Sequence, residues 1–227
     1  MNAPRQLGGA FSILVADDHP SVSLAVSQIC ADLLGIEGTS IATAHSSGEL
    51  LAVCATPSSS NRIVVLDMVM PGEWKRAALV EVVRRADPSA RVVAYSADES
   101  PFLATSILNA GAMGYVAKSS PTTELVDAMV AVSHGRQYVD ARIDLQALHA
   151  HPWTSLTDSE RAVLLAVCRG EKASDIVATT GRSYSTVTTH KYNGLNKLGL
   201  RHDVDLLPYL YANGLICELD ADPSMSA

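Results

Sequence analysis

Residues 63–67 read IVVLD, a run of four apolar residues that ends at the carboxylate of Asp67. Three further runs have the same form, and they are LVADD at 14–18, VVAYS at 92–96 and GYVAK at 114–118. Near-continuous apolar runs of this length are typical of strands in a parallel sheet whose two faces are both covered. The carboxyl ends of such strands share one edge of the sheet, where open α/β sheets bind ligands. The sequence therefore predicts that the polar groups at the ends of these runs lie together.

Short β-rich runs alternate with longer amphipathic segments between residues 11 and 135. This alternation predicts right-handed βαβ units and a parallel sheet with helices packed on it. The predicted fold class of this part is α/β, with a doubly wound, five-stranded parallel sheet. The predicted strands are 11–16, 39–44, 62–67, 91–95 and 113–117, and the predicted helices are 21–34, 48–55, 76–86, 101–110 and 122–134.

A separate all-α unit is predicted in the last third of the chain. Thr157 and Glu160 have the spacing of a capping box, so a helix is expected to begin there and to run to Arg169. Further helices are predicted at 173–180, 183–198 and 204–212, and two short helices joined by a tight turn indicate helix-turn-helix geometry. The predicted domains are 9–139, a linker at 140–153, the helical domain at 154–215 and a tail at 216–227, disordered from residue 219.

Composition excludes a membrane protein and a disulfide-rich scaffold. The 227 residues are 48% hydrophobic but only 5% aromatic, so the core is expected to consist mainly of Ala, Val, Leu and Ile. No apolar run approaches the roughly 18 residues that a membrane helix needs. The four cysteines show no metal-binding spacing. They are expected to be core thiols of a cytosolic protein.

The charge is distributed unevenly along the chain. The formal net charge of −7 argues against a protein that binds polyanions by bulk positive charge. Residues 1–144 carry ten Lys and Arg against fifteen Asp and Glu, whereas residues 152–210 carry seven against six. Only the second segment can therefore approach DNA without strong repulsion.

Three carboxylates, a hydroxyl and an ammonium group are predicted to meet at the sheet edge: Asp17, Asp18, Asp67, Ser96 and Lys118. Mg2+ prefers oxygen ligands, and adjacent carboxylates repel one another strongly without a cation. One carboxylate can act as nucleophile on a phosphoryl donor while the metal neutralises the transferred group. We expect Asp67 to be the nucleophile because the loop after it can hold it exposed. Lys118 is expected to pair with the phosphoryl oxygens, and Ser96 to donate a hydrogen bond to one of them.

Both parts of the chain resemble known families through short motifs. Residues 11–139 resemble the receiver domain of two-component response regulators through LVADDHP, VVLDMVMPG, VVAYSA and NAGAMGYVAKSS. Residues 154–213 resemble the helix-turn-helix domain of the NarL/FixJ (LuxR-type) class through LTDSERAVL and STVTTHKYNGLNKLGL. The stretch NKLGLRHDVDLLPYL is most similar to the branch of capsule-synthesis phosphorelay regulators. The resemblance implies a flavodoxin-like receiver joined to a DNA-binding transcription regulator.

The same resemblance implies how the metal and the phosphoryl group are held. Asp67 matches the phosphoacceptor, and Asp17 and Asp18 match the acidic pair that holds Mg2+. The carbonyl group of Val69 matches the backbone ligand of the metal. A phosphoryl group adds about −1.5 to −2 charges at neutral pH, which is enough to reorganise its neighbours.

Three further residues match the parts that respond to phosphorylation in this family. Ser96 matches the switch hydroxyl, Tyr115 the rotating aromatic side chain and Lys118 the lysine that binds the phosphoryl group. Ser96 and Lys118 are expected to move toward that group, and Tyr115 to fill the space that Ser96 leaves. This movement would repack the surface of the last two receiver helices and the strand between them.

One loop departs from the family. After Pro71-Gly72 the chain reads EWKRA at 73–77, where receivers usually have a short acidic turn with glycine. The leading interpretation is an ordinary variable loop, and the alternative is that Trp74 and Arg76 lie over the phosphorylation site. The preference for a phosphoryl donor and the lifetime of the phosphoryl group depend on which is true.

The helix predicted at 183–198 is expected to enter the major groove of DNA. Thr188, Thr189 and Tyr192 share its exposed face, and their hydroxyl and methyl groups suit either polar base edges or the thymine methyl. A stripe of Val187, Leu195 and Leu198 is expected to be buried. The predicted DNA contacts are Lys172, Arg182, Ser183, Thr186, Thr188, Thr189, Lys191, Tyr192 and Lys197, of which the cations contact phosphates.

The DNA-binding domain departs from its family in its low number of cations. The family usually has a lysine where this chain has Thr188, a leucine near Thr180 and a capping serine where Lys172 falls. With few cations, the salt dependence of DNA binding is expected to be shallow and the affinity of a monomer low. Binding is therefore expected to require a dimer that combines two weak half-sites.

These observations support one leading interpretation and two others. In the first, a sensor histidine kinase or phosphotransfer protein phosphorylates Asp67, and a homodimer then binds paired half-sites on double-stranded DNA. In the second, phosphorylation is dispensable and a heterodimeric partner controls DNA binding. In the third, the chain is a phosphohydrolase, but such enzymes often have a second Asp two residues after the nucleophile, where this chain has Val69. We therefore expect no turnover enzyme and no membrane partner.

Overall fold

Six parallel strands form the sheet of the N-terminal unit in the computed structural model, which describes residues 6–36, 38–56 and 60–220. The strands are β1 (Phe11–Ala16), β2 (Ile41–Ala44), β3 (Asn61–Leu66), β4 (Arg91–Ser96), β5 (Gly114–Ala117) and β6 (Tyr138–Val139). Their order is β2-β1-β3-β4-β5-β6, and every neighbouring pair is parallel. Because the order reverses beside β1, a switch point of the kind that binds ligands lies between β1 and β3.

Five helices pack on this sheet, and their predicted bounds are correct to within one residue. They are α1 (Pro20–Leu34), α2 (Ser47–Cys54), α3 (Arg76–Ala86), α4 (Pro101–Asn109) and α5 (Thr122–Ser133). α1 ends at Gly35, whose φ of 65° is the left-handed conformation that glycine adopts without steric cost. α2 begins after Ser46, because its hydroxyl accepts the N–H of Glu49 at 3.2 Å.

The core of this unit lies between the sheet and the helices α1 and α5. Val15, Val65 and Val93 are register partners on β1, β3 and β4 and are almost fully buried. Cys30 of α1 and Met129 of α5 belong to the same apolar cluster. β-Branched side chains fill a covered sheet surface well, so these strands form where the apolar runs predicted them.

The sequence predicted five strands, and the prediction is wrong by one. β6 has only two residues, which is too short to show any alternation of apolar and polar positions. It joins the sheet edge because the N–H of Tyr138 donates to Met113 O and the N–H of Asp140 donates to Tyr115 O, both at 2.9 Å. The other strands agree within two residues, and the largest difference arises because Gly38–Ser40 form a 3-10 turn before β2.

The C-terminal unit is helical, as predicted. Its helices are α6 (Ala147–Ala150), α7 (Asp158–Cys168), α8 (Ala173–Thr180), α9 (Tyr184–Lys197), α10 (Leu206–Ala212) and α11 (Cys217–Asp220). The capping box forms, since Thr157 Oγ1 accepts the N–H of Glu160 at 3.2 Å and the Glu160 carboxylate accepts the N–H of Thr157 at 2.8 Å. α8 ends at Gly181 with φ 67°, and the hydroxyl of Ser183 caps α9.

Three details of this half differ from the prediction. The predicted linker contains α6 and the start of a 3-10 turn at Pro152–Ser155, whose Trp153 is buried. The predicted tail contains α11, and residues 221–227 lie outside the described residues. The fourth helix begins later than predicted, because Asp203–Asp205 form a 3-10 turn before α10.

Backbone contacts divide the chain into two compact units, Met1–Glu99 with Ala104–Ile143 and Ser100–Leu103 with Asp144–Ala227. The predicted domain boundaries stay a prediction. Within the described ranges, no helix has both the length and the apolar character to cross a membrane.

Burial raises the pKa of the Cys30 thiol to about 12 and that of Cys54 to about 11, so both are inert core thiols. Cys168 and Cys217 are only partly buried, and they pack against the margin of the core of the C-terminal unit.

A glycine lies where α7 and α9 cross. A β-carbon on Gly194 would lie 2.9 Å from Leu164 Cδ1, which is closer than such atoms approach. Glycine ordinarily weakens a helix interior by about 1 kcal/mol relative to alanine. Here it permits the close packing of the two helices, and the neighbouring Val187 and Leu195 are buried as predicted.

Candidate functional site

The ends of the strands place the predicted polar groups at one edge of the sheet. Asp17 directly follows β1, Asp67 follows β3 and Lys118 follows β5. Their backbones continue the ladder, since the N–H of Asp67 donates to Ala16 O at 2.8 Å and that of Lys118 donates to Ser96 O at 2.7 Å. The side chains therefore start from one edge because the strands are in register.

Lys118 joins two of the predicted carboxylates. Its Nζ lies 2.7 Å from Asp17 Oδ2 and 3.0 Å from Asp67 Oδ2. Asp17 and Asp67 are 2% and 6% exposed, so water contributes little to stabilising their charges. Burial raises the pKa of Asp67, and the ammonium group opposes this rise. Burial acts to lower the pKa of Lys118, but the two carboxylates outweigh it and hold that pKa above its usual value.

A cluster of potential metal ligands includes the same two carboxylates. One ligand atom from each of Asp17, Asp18, His19 and Asp67 lies within 4.8 Å of the others. The Nδ1 atom of His19 is 2.8 Å from Asp18 Oδ1 and 3.4 Å from Asp17 Oδ1. The sequence analysis missed His19, although its position directly after the acidic pair was an available signal.

The acidic cluster fits a hard divalent cation. Asp18 Oδ1 is buried, and the His19 Nδ1 atom lies 2.8 Å from it, but among the described residues no contact to this oxygen has the geometry of a hydrogen bond. A buried carboxylate oxygen that lacks a well-directed donor is costly, and a bound cation would satisfy it. Carboxylate oxygens from adjacent strand ends are also the ligands that Mg2+ prefers.

The loop after β3 is held in a defined conformation. The N–H of Val69 donates to Asp67 Oδ1 at 3.2 Å, which fixes the direction of that carboxylate. The N–H of Ser47 donates to Pro71 O at 2.9 Å and so attaches the loop to the start of α2. Gly72 has a φ of 129°, and a β-carbon there would lie 1.9 Å from Ser47 Oγ. Glycine is therefore required at position 72. The role of the Val69 carbonyl as a metal ligand stays a prediction.

Ser96 and Tyr115 bind the backbone of one residue, Asp98. The N–H of Asp98 donates to Ser96 Oγ at 3.1 Å, and the hydroxyl of Tyr115 donates to Asp98 O at 2.7 Å. Both side chains are buried, and Tyr115 is fully so. The structure therefore places the tyrosine in its inward position and ties both predicted switch residues to the loop between β4 and α4.

The unusual loop contains the single non-glycine residue with positive φ among those described. Arg76 has a φ of 50°, and its N–H donates to Met68 O at 3.3 Å. This bond attaches the first residue of α3 to Met68, the residue after Asp67. Trp74 is partly buried. The positions of the Trp74 and Arg76 side chains over the site stay a prediction.

The exposed face of α9 has the residues that were predicted to read bases. Thr188, Thr189 and Tyr192 are exposed, the last at 65%. The hydroxyl of Ser183 accepts the N–H of Thr186 at 3.2 Å, so Ser183 is occupied in capping the helix. Val187, Leu195 and Leu198 are buried on the opposite side, which leaves the exposed face available to DNA.

The predicted phosphate contacts fall into two groups. Lys191 Nζ lies 3.2 Å from Asp203 Oδ2, and Lys197 Nζ lies 2.7 Å from the buried Glu160 Oε2. Both lysines therefore have acidic partners within the domain. Lys172 is exposed and Arg182 is partly exposed. No local pattern predicted these ion pairs, because the partners are 12 and 37 residues apart in the sequence.

The two sites together define a class of protein. A doubly wound sheet with an acidic cluster and a lysine at its carboxyl edge is the arrangement of a phosphoacceptor domain, and the second unit has a helix-turn-helix. The protein-family model for the response regulator receiver domain matches residues 13–130. The family model for bacterial regulatory proteins of the luxR family matches residues 154–210. The chain belongs to the response regulators with a LuxR-type DNA-binding domain, and it is a DNA-binding transcription regulator.

Curated relatives and solved structures agree with this assignment. The response regulator UvrY of Escherichia coli (strain K12) is 26% identical over 212 residues, which cover 90% of this chain and 95% of that protein. The response regulator GacA of Pseudomonas aeruginosa is 28% identical over 212 residues, with coverage of 90% and 97%.

Structures of the response regulator RcsB share the fold. One, of two RcsB dimers bound to two parallel DNAs, has a TM-score of 0.63 at 23% identity and covers 90% of this chain and 99% of that chain. Another, of RcsB from Salmonella enterica serovar Typhimurium bound to the rprA promoter with the phosphomimetic BeF3−, has a TM-score of 0.64 at 22% identity and covers 88% and 98%.

Proposed function

We propose that phosphorylation of Asp67 controls DNA binding by this protein. The observation that carries the proposal is the position of Lys118 Nζ, 2.7 Å from Asp17 and 3.0 Å from Asp67 at the carboxyl edge of the sheet. An ammonium group shared between two buried carboxylates can follow the negative charge when one of them is phosphorylated. Asp17, Asp18, Asp67 and the carbonyl of Val69 would hold Mg2+, which would neutralise the phosphoryl oxygens.

The chemical step is transfer of a phosphoryl group to a carboxylate. An Asp67 oxygen attacks the phosphorus of a phosphohistidine on a sensor kinase or phosphotransfer protein. The P–N bond breaks, its electron pair leaves with the histidine nitrogen, and an acyl phosphate forms on Asp67. The charge at this position becomes more negative, and Lys118 remains its cationic partner. The receiver promotes only this step and the hydrolysis of its own acyl phosphate.

The response to phosphorylation passes through Asp98. If Ser96 turns its hydroxyl to donate to a phosphoryl oxygen, it no longer holds the N–H of Asp98 as it does now. Tyr115 holds the carbonyl of the same residue, so its inward position is weakened when the loop moves. The loop leads into α4, and the surface of α4, β5 and α5 is repacked as a two-state element.

A second copy of the chain is the proposed partner on DNA. Val204, Leu207 and Tyr211 are 75%, 48% and 78% exposed and have the spacing of one helical face on α10 and the turn before it. Such a stripe on a small domain is a candidate for a self-complementary contact. A homodimer would combine two half-sites on double-stranded DNA, as the low number of free cations requires. We place the protein in the cytoplasm, where its kinase and DNA are accessible.

Incubation with acetyl phosphate and Mg2+ tests the proposal. Intact-mass spectrometry is expected to show the addition of one phosphoryl group, and light scattering a shift toward the dimer. Asp67→Asn is expected to show neither. If Asp67→Asn retained full promoter regulation, control by a heterodimeric partner without phosphorylation would replace this proposal. Multiple turnover of a small phosphoester would instead support the phosphohydrolase.

A further inference from the structure

The threonine hydroxyls on the exposed face of α9 already donate hydrogen bonds to backbone carbonyls of the same helix. Thr188 Oγ1 donates to Tyr184 O at 2.9 Å, and Thr189 Oγ1 donates to Ser185 O at 2.8 Å. Bonds of this kind to the carbonyl four residues earlier are common for threonine in helices. Each hydroxyl has one proton, so neither can donate to a base while this bond is kept.

On the two threonines, the groups that remain for DNA are the methyl groups and the hydroxyl oxygens, which can accept a hydrogen bond but cannot donate one. Guanine N7 and O6 and thymine O4 are acceptors in the major groove, and a hydroxyl without a free proton cannot bind them. Lys197 is held by the buried carboxylate of Glu160, and Lys191, whose pair with Asp203 is partly exposed, is expected to contact phosphate, so neither lysine is assigned to the reading of guanine. The γ-methyl groups of Thr188 and Thr189 match the one apolar group in the major groove, the 5-methyl of thymine.

We propose that Thr188 and Thr189 determine operator specificity by contact of their methyl groups with thymine methyls. Each half-site then carries thymine at the positions that face the first two turns of α9. The exposed amide of Asn193 on the same face suits adenine, the partner of thymine, so the preferred half-site is rich in A·T pairs. This proposal rests on the proposed function, because it requires that α9 lies in the major groove.

Thymine-to-uracil exchange tests the proposal because it removes only the methyl group. The binding site is first selected from random duplexes with the full-length protein after treatment with acetyl phosphate and Mg2+. Each thymine of a half-site is then replaced by uracil, and the Kd is measured by fluorescence anisotropy at fixed salt. Two thymines are expected to weaken binding about fourfold each when replaced, which is the effect of losing one buried methyl group.

Matched variants identify which atom of each threonine acts. Thr188→Ser and Thr189→Ser keep the hydroxyl and remove the methyl, so they are expected to weaken binding to thymine DNA about fourfold and to lose the sensitivity to uracil at one position. Thr188→Val and Thr189→Val keep a methyl and remove the hydroxyl, so they are expected to retain that sensitivity. Circular dichroism confirms that each variant keeps its helix content.

The outcomes separate this proposal from the one on which it rests. Sequence-specific binding that is unchanged by uracil, or that fails in the valine variants and survives in the serine variants, overturns methyl recognition and leaves phosphorylation-controlled DNA binding intact. If the treated protein selects no sequence above the non-specific background, the proposed function fails together with this inference.

Discussion

The acidic edge of the sheet and the exposed face of α9 use charge in opposite ways. At the edge, the buried Asp17 and Asp67 share the ammonium group of Lys118, and removal of that group leaves both negative charges uncompensated. On α9, the exposed threonines make their hydrogen bonds within the helix. The comparison shows that the first region depends on exact electrostatic pairing, whereas the second contributes binding energy only when DNA excludes water from it.

Of the changes that test this comparison, replacement of Lys118 is expected to have the largest effect, and the effect is on the rate of phosphorylation. Lys118→Met removes the ammonium group that stabilises negative charge at Asp67 while keeping the length of the side chain. Phosphorylation by acetyl phosphate is expected to slow about 100-fold, which is typical when one preorganised electrostatic group is removed. The rate is measured by intact mass over time.

Lys191→Met is the matched control for this experiment. Its ion pair with Asp203 is at least one-third exposed on both sides, so the pair is expected to contribute little. The phosphorylation rate of Lys191→Met should equal that of the original chain. If Lys118→Met were also phosphorylated at the rate of the original chain, the pairing of Lys118 with the buried carboxylates would have no role in the chemistry.

The contact between α7 and α9 gives the second prediction. Gly194→Ala places a β-carbon 2.9 Å from Leu164 Cδ1, and overpacking of this kind destabilises a core by about 1–3 kcal/mol. Urea unfolding of the C-terminal unit can be followed by the fluorescence of Trp153 in a Trp74→Phe background. Asn193→Ala, at an exposed neighbour, serves as control. Stabilisation by Gly194→Ala, as helix propensity alone predicts, would show that the packing is not close.

His19 gives the third prediction, which concerns metal selectivity at the acidic edge. An imidazole nitrogen favours transition metals over Mg2+, whereas carboxylates do not discriminate in this way. His19→Asn is therefore expected to lower the affinity for Ni2+, which prefers imidazole ligands, about tenfold and to change the affinity for Mg2+ much less. Isothermal titration calorimetry measures both affinities without phosphorylation. An unchanged ratio of the two affinities would exclude His19 from the metal shell.

The smallest expected effect concerns pH and the C-terminal unit. Burial acts to raise the pKa of Glu160, but the hydrogen bonds from Lys197 and Thr157 outweigh it and hold the pKa below its usual value. Such a group contributes stability above its unfolded pKa, and this contribution is lost as the pH falls through the folded pKa. Glu160→Gln is expected to cost about 1 kcal/mol at pH 7 and progressively less below pH 4.5. Urea unfolding from pH 7 to pH 3 measures the difference in the free energy of unfolding between the original chain and Glu160→Gln. A difference that stays constant over this pH range would contradict the prediction.

The strands and helices of the receiver could be predicted because their signals are local. Apolar runs such as 63–67 end where the buried strands end, and the caps at Thr157 and Ser183 fix the starts of two helices. β6 could not be predicted, because its two residues are held by the neighbouring strand and not by their own preference. Its formation depends on tertiary contact alone.

The candidate sites were predictable to the extent that they follow from strand ends. The register of parallel strands brings Asp17, Asp67 and Lys118 together, so order along the chain was sufficient to predict their meeting. The ion pairs that the α9 lysines form within the domain were not predictable from the sequence. Lys197 meets Glu160 only because α7 and α9 pack closely at Gly194, and no periodic pattern in the sequence reports such a pair.

The division of α9 into a packed side and an exposed side has a consequence for the evolution of the regulator. The residues that hold the helix in place, such as Val187 and Gly194, are distinct from those that face outward, such as Thr188 and Thr189. A gene duplicate could therefore acquire new target promoters by one or two outward substitutions without risk to folding. Drift on the packed side would instead be removed by selection before any change of target could arise.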